Sequence, residues 1–142
     1  MFYHQDTKNA KSTKKNKEVD DQIDSLAHGV IGAALEVHRL LGPGFLESVY
    51  EEALCVELQL RSIPFARQPA VTLKDKGQTV GQGRLDLLIG ETLVIELKAV
   101  DGLAPIHTAQ LLSYLRATGH KLGLLINFNV PYLKHGIKRI IL

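Results

Sequence analysis

Gly83-Arg84-Leu85-Asp86-Leu87-Leu88-Ile89-Gly90-Glu91-Thr92-Leu93-Val94-Ile95-Glu96-Leu97-Lys98 reads as two apolar strands around a turn, with charges where core strands should carry none. Side chains alternate faces along a strand, so Glu96 and Lys98 share a face. Where Asp86 points depends on the turn. If Gly90 and Glu91 alone make it, Asp86 falls opposite Ile95 and Glu96 opposite Leu85, and both faces mix apolar with charged groups. If Gly90-Glu91-Thr92 form a three-residue loop, Leu85, Leu87 and Ile89 pair with Leu97, Ile95 and Leu93 on one face. The other face then sets Asp86 against Glu96 and Arg84 against Lys98. Burial favours this second register, because a one-residue slip would expose the whole apolar set. Two carboxylates directly across a ladder repel unless a cation lies between them. Asp86 and Glu96 are therefore candidate metal ligands.

The ligand chemistry narrows the metal and the reaction. Oxygen donors favour a hard cation, and a few carboxylates with open positions suit Mg2+ or Mn2+ beside a phosphate. Such an ion activates water and polarises a phosphoryl oxygen. Lys98, next to these ligands, can orient the attacking water or stabilise transition-state charge. Glu-x-Lys alone is more often a solvated ion pair worth little; the aspartate in matching register raises its meaning.

The 142 residues suffice for one domain burying about two-thirds of its unfolded surface. No internal repeat is present, and no apolar run is long enough to span a bilayer. The first residues lack the positive start and apolar stretch of a secretory signal. Cys55 is the only cysteine, which excludes an intrachain disulfide and zinc-finger spacing. It falls in an apolar helical pattern and is expected to be a small core residue. A cytoplasmic protein with no membrane association is the expectation. The net charge of +2 is unevenly spread: Lys8, Lys11, Lys14, Lys15 and Lys17 face only Asp6 and Glu18. From Asp20 onward 12 basic residues meet 13 acidic ones, so the body is no basic nucleic-acid binder of the familiar kind. Residues 1–19 are expected to form a disordered, Lys-rich tail, able to touch a phosphate backbone without sequence preference or simply to aid solubility.

Outward from the central strands, Asp20, Asp21 and Asp24 favour a helix N-terminus. Ile23, Leu26, Ala27, Val30, Ile31, Ala34, Leu35, His38 and Leu41 continue it as an amphipathic helix, with His38 expected to be a hydrogen-bonded packing residue. Gly42-Pro43-Gly44 ends it. A second helix is expected over roughly 45–61, with Val49, Tyr50, Ala53, Leu54 and Leu58 inward. Arg67–Lys74 reads as a strand, Asp75-Lys76-Gly77 as a turn, and Thr79–Ile89 and Leu93–Val100 as the remaining strands of an antiparallel meander. Pro105 opens a helix to about Thr118. Leu122–Asn127 follows as a buried strand parallel to 93–100. Ile137–Leu142 is expected as a short edge strand after a turn or helical piece at 131–136.

Glu47 stands in the first turn of the second helix, where a carboxylate is favoured by the dipole in any case. Gln110 and Tyr114, spaced i, i+4, share a helix face directly after the Glu-x-Lys strand. Gln110 can orient water or hold a phosphate oxygen; Tyr114 can stack on a base or donate to a phosphate. That spacing alone is commonly just packing.

Taken in order, a helix glutamate, a strand aspartate, Glu-x-Lys and Gln-x-x-x-Tyr resemble the PD-(D/E)XK nuclease superfamily, including its RecB-like branch. Gly44-Phe45-Leu46-Glu47-Ser48-Val49-Tyr50 is similar to the G-x-x-E-x-x-Y signature of a family of small prokaryotic proteins within it. Val30-Ile31-Gly32-Ala33-Ala34, Glu36-Val37-His38, Leu41-Gly42-Pro43-Gly44, Val94–Val100, Gln110–Leu115 and Leu122–Phe128 extend the likeness over about residues 22–141.

The resemblance implies an α/β (α+β) fold over 20–142: a restriction-endonuclease-like core with a central mixed sheet flanked by helices. It implies a metal held by Asp86, Glu96, the main-chain carbonyl of Leu97 and Glu47. Lys98 would serve the nucleophilic water, and Gln110, Tyr114 and Arg84 would support water or substrate. The expected activity is Mg2+- or Mn2+-dependent hydrolysis of nucleic acid, DNA before RNA, with a homodimer or a protein partner as the expected assembly. The alternative is an inactive module that keeps the fold to bind nucleic acid or a protein.

Overall fold

The computed structural model describes the backbone of residues 10–142 and the side chains from Asp20 onward. Residues 1–9 of the expected tail lie outside the described residues. Helix α1 runs Ala10–Leu41, so it begins ahead of the acidic start signals at 20–24. Its core face is Ile23, Ala27, Val30, Ala34 and Val37, recurring at three- and four-residue steps. Leu35, expected on that stripe, is exposed. His38 packs as expected, its Nε2 2.7 Å from the Val130 carbonyl.

Helix α2 spans Glu47–Leu60. Tyr50, Leu54 and Leu58 are buried and Ala53 is packed against the same core, whereas Val49 is exposed and Glu51 takes a buried place. Cys55 is buried and free. The strands are β1 (Phe65–Arg67), β2 (Ala70–Asp75), β3 (Gln78–Arg84), β4 (Leu87–Ile89), β5 (Leu93–Lys98), β6 (Leu122–Asn127) and β7 (Ile137–Ile141). Helix α3 occupies Pro105–Thr118, between β5 and β6. A 3-10 turn at Leu133–Gly136 precedes β7.

Five strands form a mixed sheet in the order β1-β4-β5-β6-β7, and β2 and β3 form a separate hairpin. β5 is central, antiparallel to β4 and parallel to β6. That parallel step needs a crossover, which α3 supplies. Helices α1 and α2 cover the face of Leu87, Ile89, Leu93, Ile95, Leu97, Leu124 and Ile126. α3 covers the other face with Leu111 and Leu115 against Val94 and Leu125. This is the restriction-endonuclease-like arrangement, a mixed sheet between helical layers. Because both faces of β5 are covered, the face bearing Glu96 is interior, not a solvated charged face.

Leu87 pairs with Ile95 and Ile89 with Leu93, which is the three-residue-loop register. Two expected strands are each broken, however. The run 79–89 breaks between β3 and β4, and 67–74 breaks between β1 and β2, at opposite points. Arg67 pairs with Leu87 and Ala70 with Arg84, so the two halves keep one register as a bent ribbon. Pro69 lacks an N–H for a ladder and Gln68 adopts φ +52°, which together explain a bend here. The outer half of the ribbon leaves the sheet. Arg84 therefore pairs with Ala70 and is not set against Lys98. The turn of the outer hairpin is Lys76-Gly77, both at positive φ, as a tight two-residue turn requires.

Candidate functional site

The bend creates the site. As the ribbon peels away, the ladder between β4 and β5 stops at Leu87, and side chains take over its last hydrogen bonds. The Leu97 N–H donates to Asp86 Oδ2 at 2.7 Å, and the Asp86 N–H donates to Glu96 Oε1 at 3.2 Å. Each carboxylate thus binds the partner strand's backbone, and the two acids stand beside each other across the gap. Glu96 is only 6% exposed, and Asp86 is half-buried.

Two acids so placed resist ionising together. Burial and then the charge of Asp86 push the Glu96 carboxyl up to about 8, against the pull of Lys98. Asp86 is also raised, by burial first; its hydrogen bond from the Leu97 N–H works the other way. Lys98 is half-exposed two residues beyond Glu96 on the same face. The Phe128 N–H donates to the Lys98 carbonyl at 2.9 Å. Buried Asn127 ties the next stretch, accepting from the Val100 N–H at 3.0 Å and donating to its carbonyl at 2.9 Å. The end of β5 is therefore held by β6.

Glu47 is the first residue of α2 and its side chain reaches solvent. Partial burial and then the Asp86 charge raise its pKa, while Lys98 lowers it. The influence of both charges on Glu47 puts this acid in the same electrostatic neighbourhood as Asp86 and Lys98. Tyr50, three residues on, fixes the approach to α2. Its hydroxyl donates to the Gly42 carbonyl at 2.6 Å and accepts from the Phe45 N–H at 3.1 Å. Its ring stacks at 4.6 Å on Phe128, the residue whose N–H holds the Lys98 carbonyl.

Sequence reasoning missed Glu51. It lies one turn after Glu47, is 5% exposed, and raises the Asp86 pKa through its charge. Its Oε2 accepts from Arg67 Nε and from Gln68 Nε2, each at 2.9 Å. The available signal was the i, i+4 pair of acids on one helix face. Of the expected substrate contacts, Arg84 is exposed, with Nη1 3.4 Å from Gln68 Oε1. Tyr114 is half-buried against Gly83, where an added Cβ would meet its Cε1 at 2.7 Å. Gln110 is exposed one turn earlier on α3. Pro105 starts that helix, and His107 Nδ1 accepts from the Ala104 N–H at 2.9 Å to cap it.

The donor set is all oxygen and suits a hard cation. Among the described residues no three acidic, histidine or cysteine side chains converge tightly enough to hold a metal by themselves. Two carboxylates still match the way Mg2+ is commonly held, with waters and substrate phosphate completing six positions.

A family model for the PD-(D/E)XK nuclease superfamily matches residues 24–140. The chain belongs to that superfamily, whose members are generally nucleases and typically use divalent metals. The matched stretch contains Glu47, Asp86, Glu96, Lys98, Gln110 and Tyr114. No curated protein and no solved structure matches the chain. Among the described residues no helix is long and apolar enough to cross a membrane.

Proposed function

We propose that this protein is a metal-dependent nuclease of the G-x-x-E-x-x-Y kind, hydrolysing phosphodiester bonds at the Asp86–Glu96–Lys98 site. The observation that carries the reading is the pair of facing carboxylates at the end of the β4–β5 ladder, with Lys98 on the same face. Asp86 and Glu96 would each offer the cation an oxygen not engaged with a backbone N–H. The Leu97 carbonyl joins them, because the N–H and carbonyl of one strand residue point to the same edge. Glu47 acts through a water at the rim. A bound Mg2+ or Mn2+ would polarise a phosphoryl oxygen and lower the pKa of water.

The chain's own groups do the rest. The Lys98 ammonium donates to the attacking water and offsets charge that builds on the phosphoryl oxygens. Gln110 holds water or a phosphate oxygen, Arg84 forks onto a neighbouring phosphate, and Tyr114 borders the substrate along α3. DNA is the proposed substrate, and the cytoplasm, where a lone thiol stays reduced, the proposed location. With a body of net charge −1 from Asp20 onward, affinity for a duplex is expected to need a second copy or a protein partner. The same charge favours the second reading, a module that binds without cutting.

Cleavage by variants separates the two. Lys98→Ala should lower the rate of Mn2+-dependent cleavage of a mixed DNA substrate by at least about a hundredfold while leaving metal affinity nearly unchanged. Asp86→Asn should weaken both. Full cleavage by either purified variant would remove this site from the mechanism, and an inert wild type that binds DNA would establish the second reading.

A further inference from the structure

The acid pair exists because the ribbon bends, and one residue at the bend reaches α2, β3 and the link between β3 and β4. Gln68 sits between β1 and β2 at φ +52°, a conformation uncommon for a long side chain, and it precedes a proline. Its N–H donates to the Asp86 carbonyl at 2.8 Å. Its Nε2 donates to Glu51 Oε2 on α2 at 2.9 Å, and its Oε1 faces Arg84 Nη1 on β3 at 3.4 Å. Glu51 is buried and braced a second time by Arg67. Backbone strain of this kind persists where the surroundings over-determine it.

We infer that Gln68 is a positioning residue for Asp86, clamping the bend through Glu51 as its buried anchor. The side chain holds residue 68 in its left-handed conformation. The backbone of residue 68 then holds the Asp86 main chain. That in turn sets the Asp86 carboxylate on the Leu97 N–H and beside Glu96. The functional consequence rests on the metal-site reading of Asp86; the positional claim does not. If Gln68 were only a turn residue, glycine or asparagine would serve there equally well, because both accept positive φ. Either substitution satisfies the turn and deletes the clamp.

The test is residue-resolved amide hydrogen exchange on metal-free wild type, Gln68→Gly and Gln68→Asn, with thermal melts alongside. The Leu97 amide reports the Asp86 contact directly, and the Leu124 amide in β6 is the control. Both variants should keep the wild-type melting temperature within a few degrees and leave Leu124 protected. The Leu97 amide should exchange roughly tenfold faster or more. Unchanged exchange at Leu97 overturns the inference, and so does acceleration shared equally by Leu124, which would signify general loosening. Mn2+ titration of the same proteins should show weaker binding in both variants. A wild type that binds no Mn2+ would defeat the metal-site reading alone, since Leu97 exchange decides the role of Gln68 without metal.

Discussion

At the scale of single residues the chemistry turns on Glu96. Its carboxyl stands at about 8 in the fold against an ordinary 4.5. An acid with a raised folded pKa binds its proton more tightly folded than unfolded, so stability declines as pH rises across the interval between the two values. The metal-free protein should therefore lose melting temperature between pH 4.5 and about 8, and Glu96→Gln should flatten that slope. An equally steep slope in the variant would mean that another group titrates there. The pairing of Asp86 with Glu96 was legible in the sequence because a period of two and an apolar face leave one sensible register. Glu51 was only faintly legible, through its i, i+4 spacing from Glu47. Its burial depends on Arg67 and Gln68, which arrive from sixteen and seventeen residues away at the end of β1 and the bend after it, and the helix spacing alone does not bury it while Glu52 beside it stays exposed.

Elements place these residues, and two devices matter most. The first is the start of α2, where the Tyr50 hydroxyl satisfies both the Gly42 carbonyl and the Phe45 N–H. Tyr50→Phe leaves that donor and acceptor without their partner, at a cost of about 1–3 kcal/mol. Urea unfolding should show it as a lower midpoint with an unchanged slope. A midpoint equal to wild type would mean that water replaces the hydroxyl fully. The second is the close approach of α3 to the sheet. A Cβ at Gly123 in β6 would stand 2.9 Å from Leu111 Cδ1 and 3.1 Å from its Cγ. Gly123→Ala should destabilise by about 1–3 kcal/mol through overpacking. Helix α3 and strands β5 and β6 were readable because each is a single pattern with clear ends: Pro105 at the start, Gly119 at φ +78° after it. The ribbon was not. Its strand pattern runs on through residues 85 and 86, and the break reflects Gln68-Pro69 on the paired strand, a tertiary cause acting across the ladder. Hence Arg84 was assigned to the wrong neighbour.

For the whole molecule, the decisive feature is a central strand covered on both faces that nevertheless carries two ionisable groups. Apolar burial of Leu93, Val94, Ile95 and Leu97 holds β5 in place, and that burial makes the charges on it costly. A fold that keeps Asp86 and Glu96 together there has either to protonate one of them or to bind a cation. Calorimetric titration of Mn2+ into wild type and into Asp86→Asn/Glu96→Gln at pH 7 tests this most directly. The wild type should bind saturably with release of up to one proton to solvent, because Glu96 must lose its proton before it can bind a cation, and the folded double variant should not bind. Equal binding by both proteins, or a folded wild type that takes up no Mn2+ even with a DNA oligonucleotide present, would contradict it.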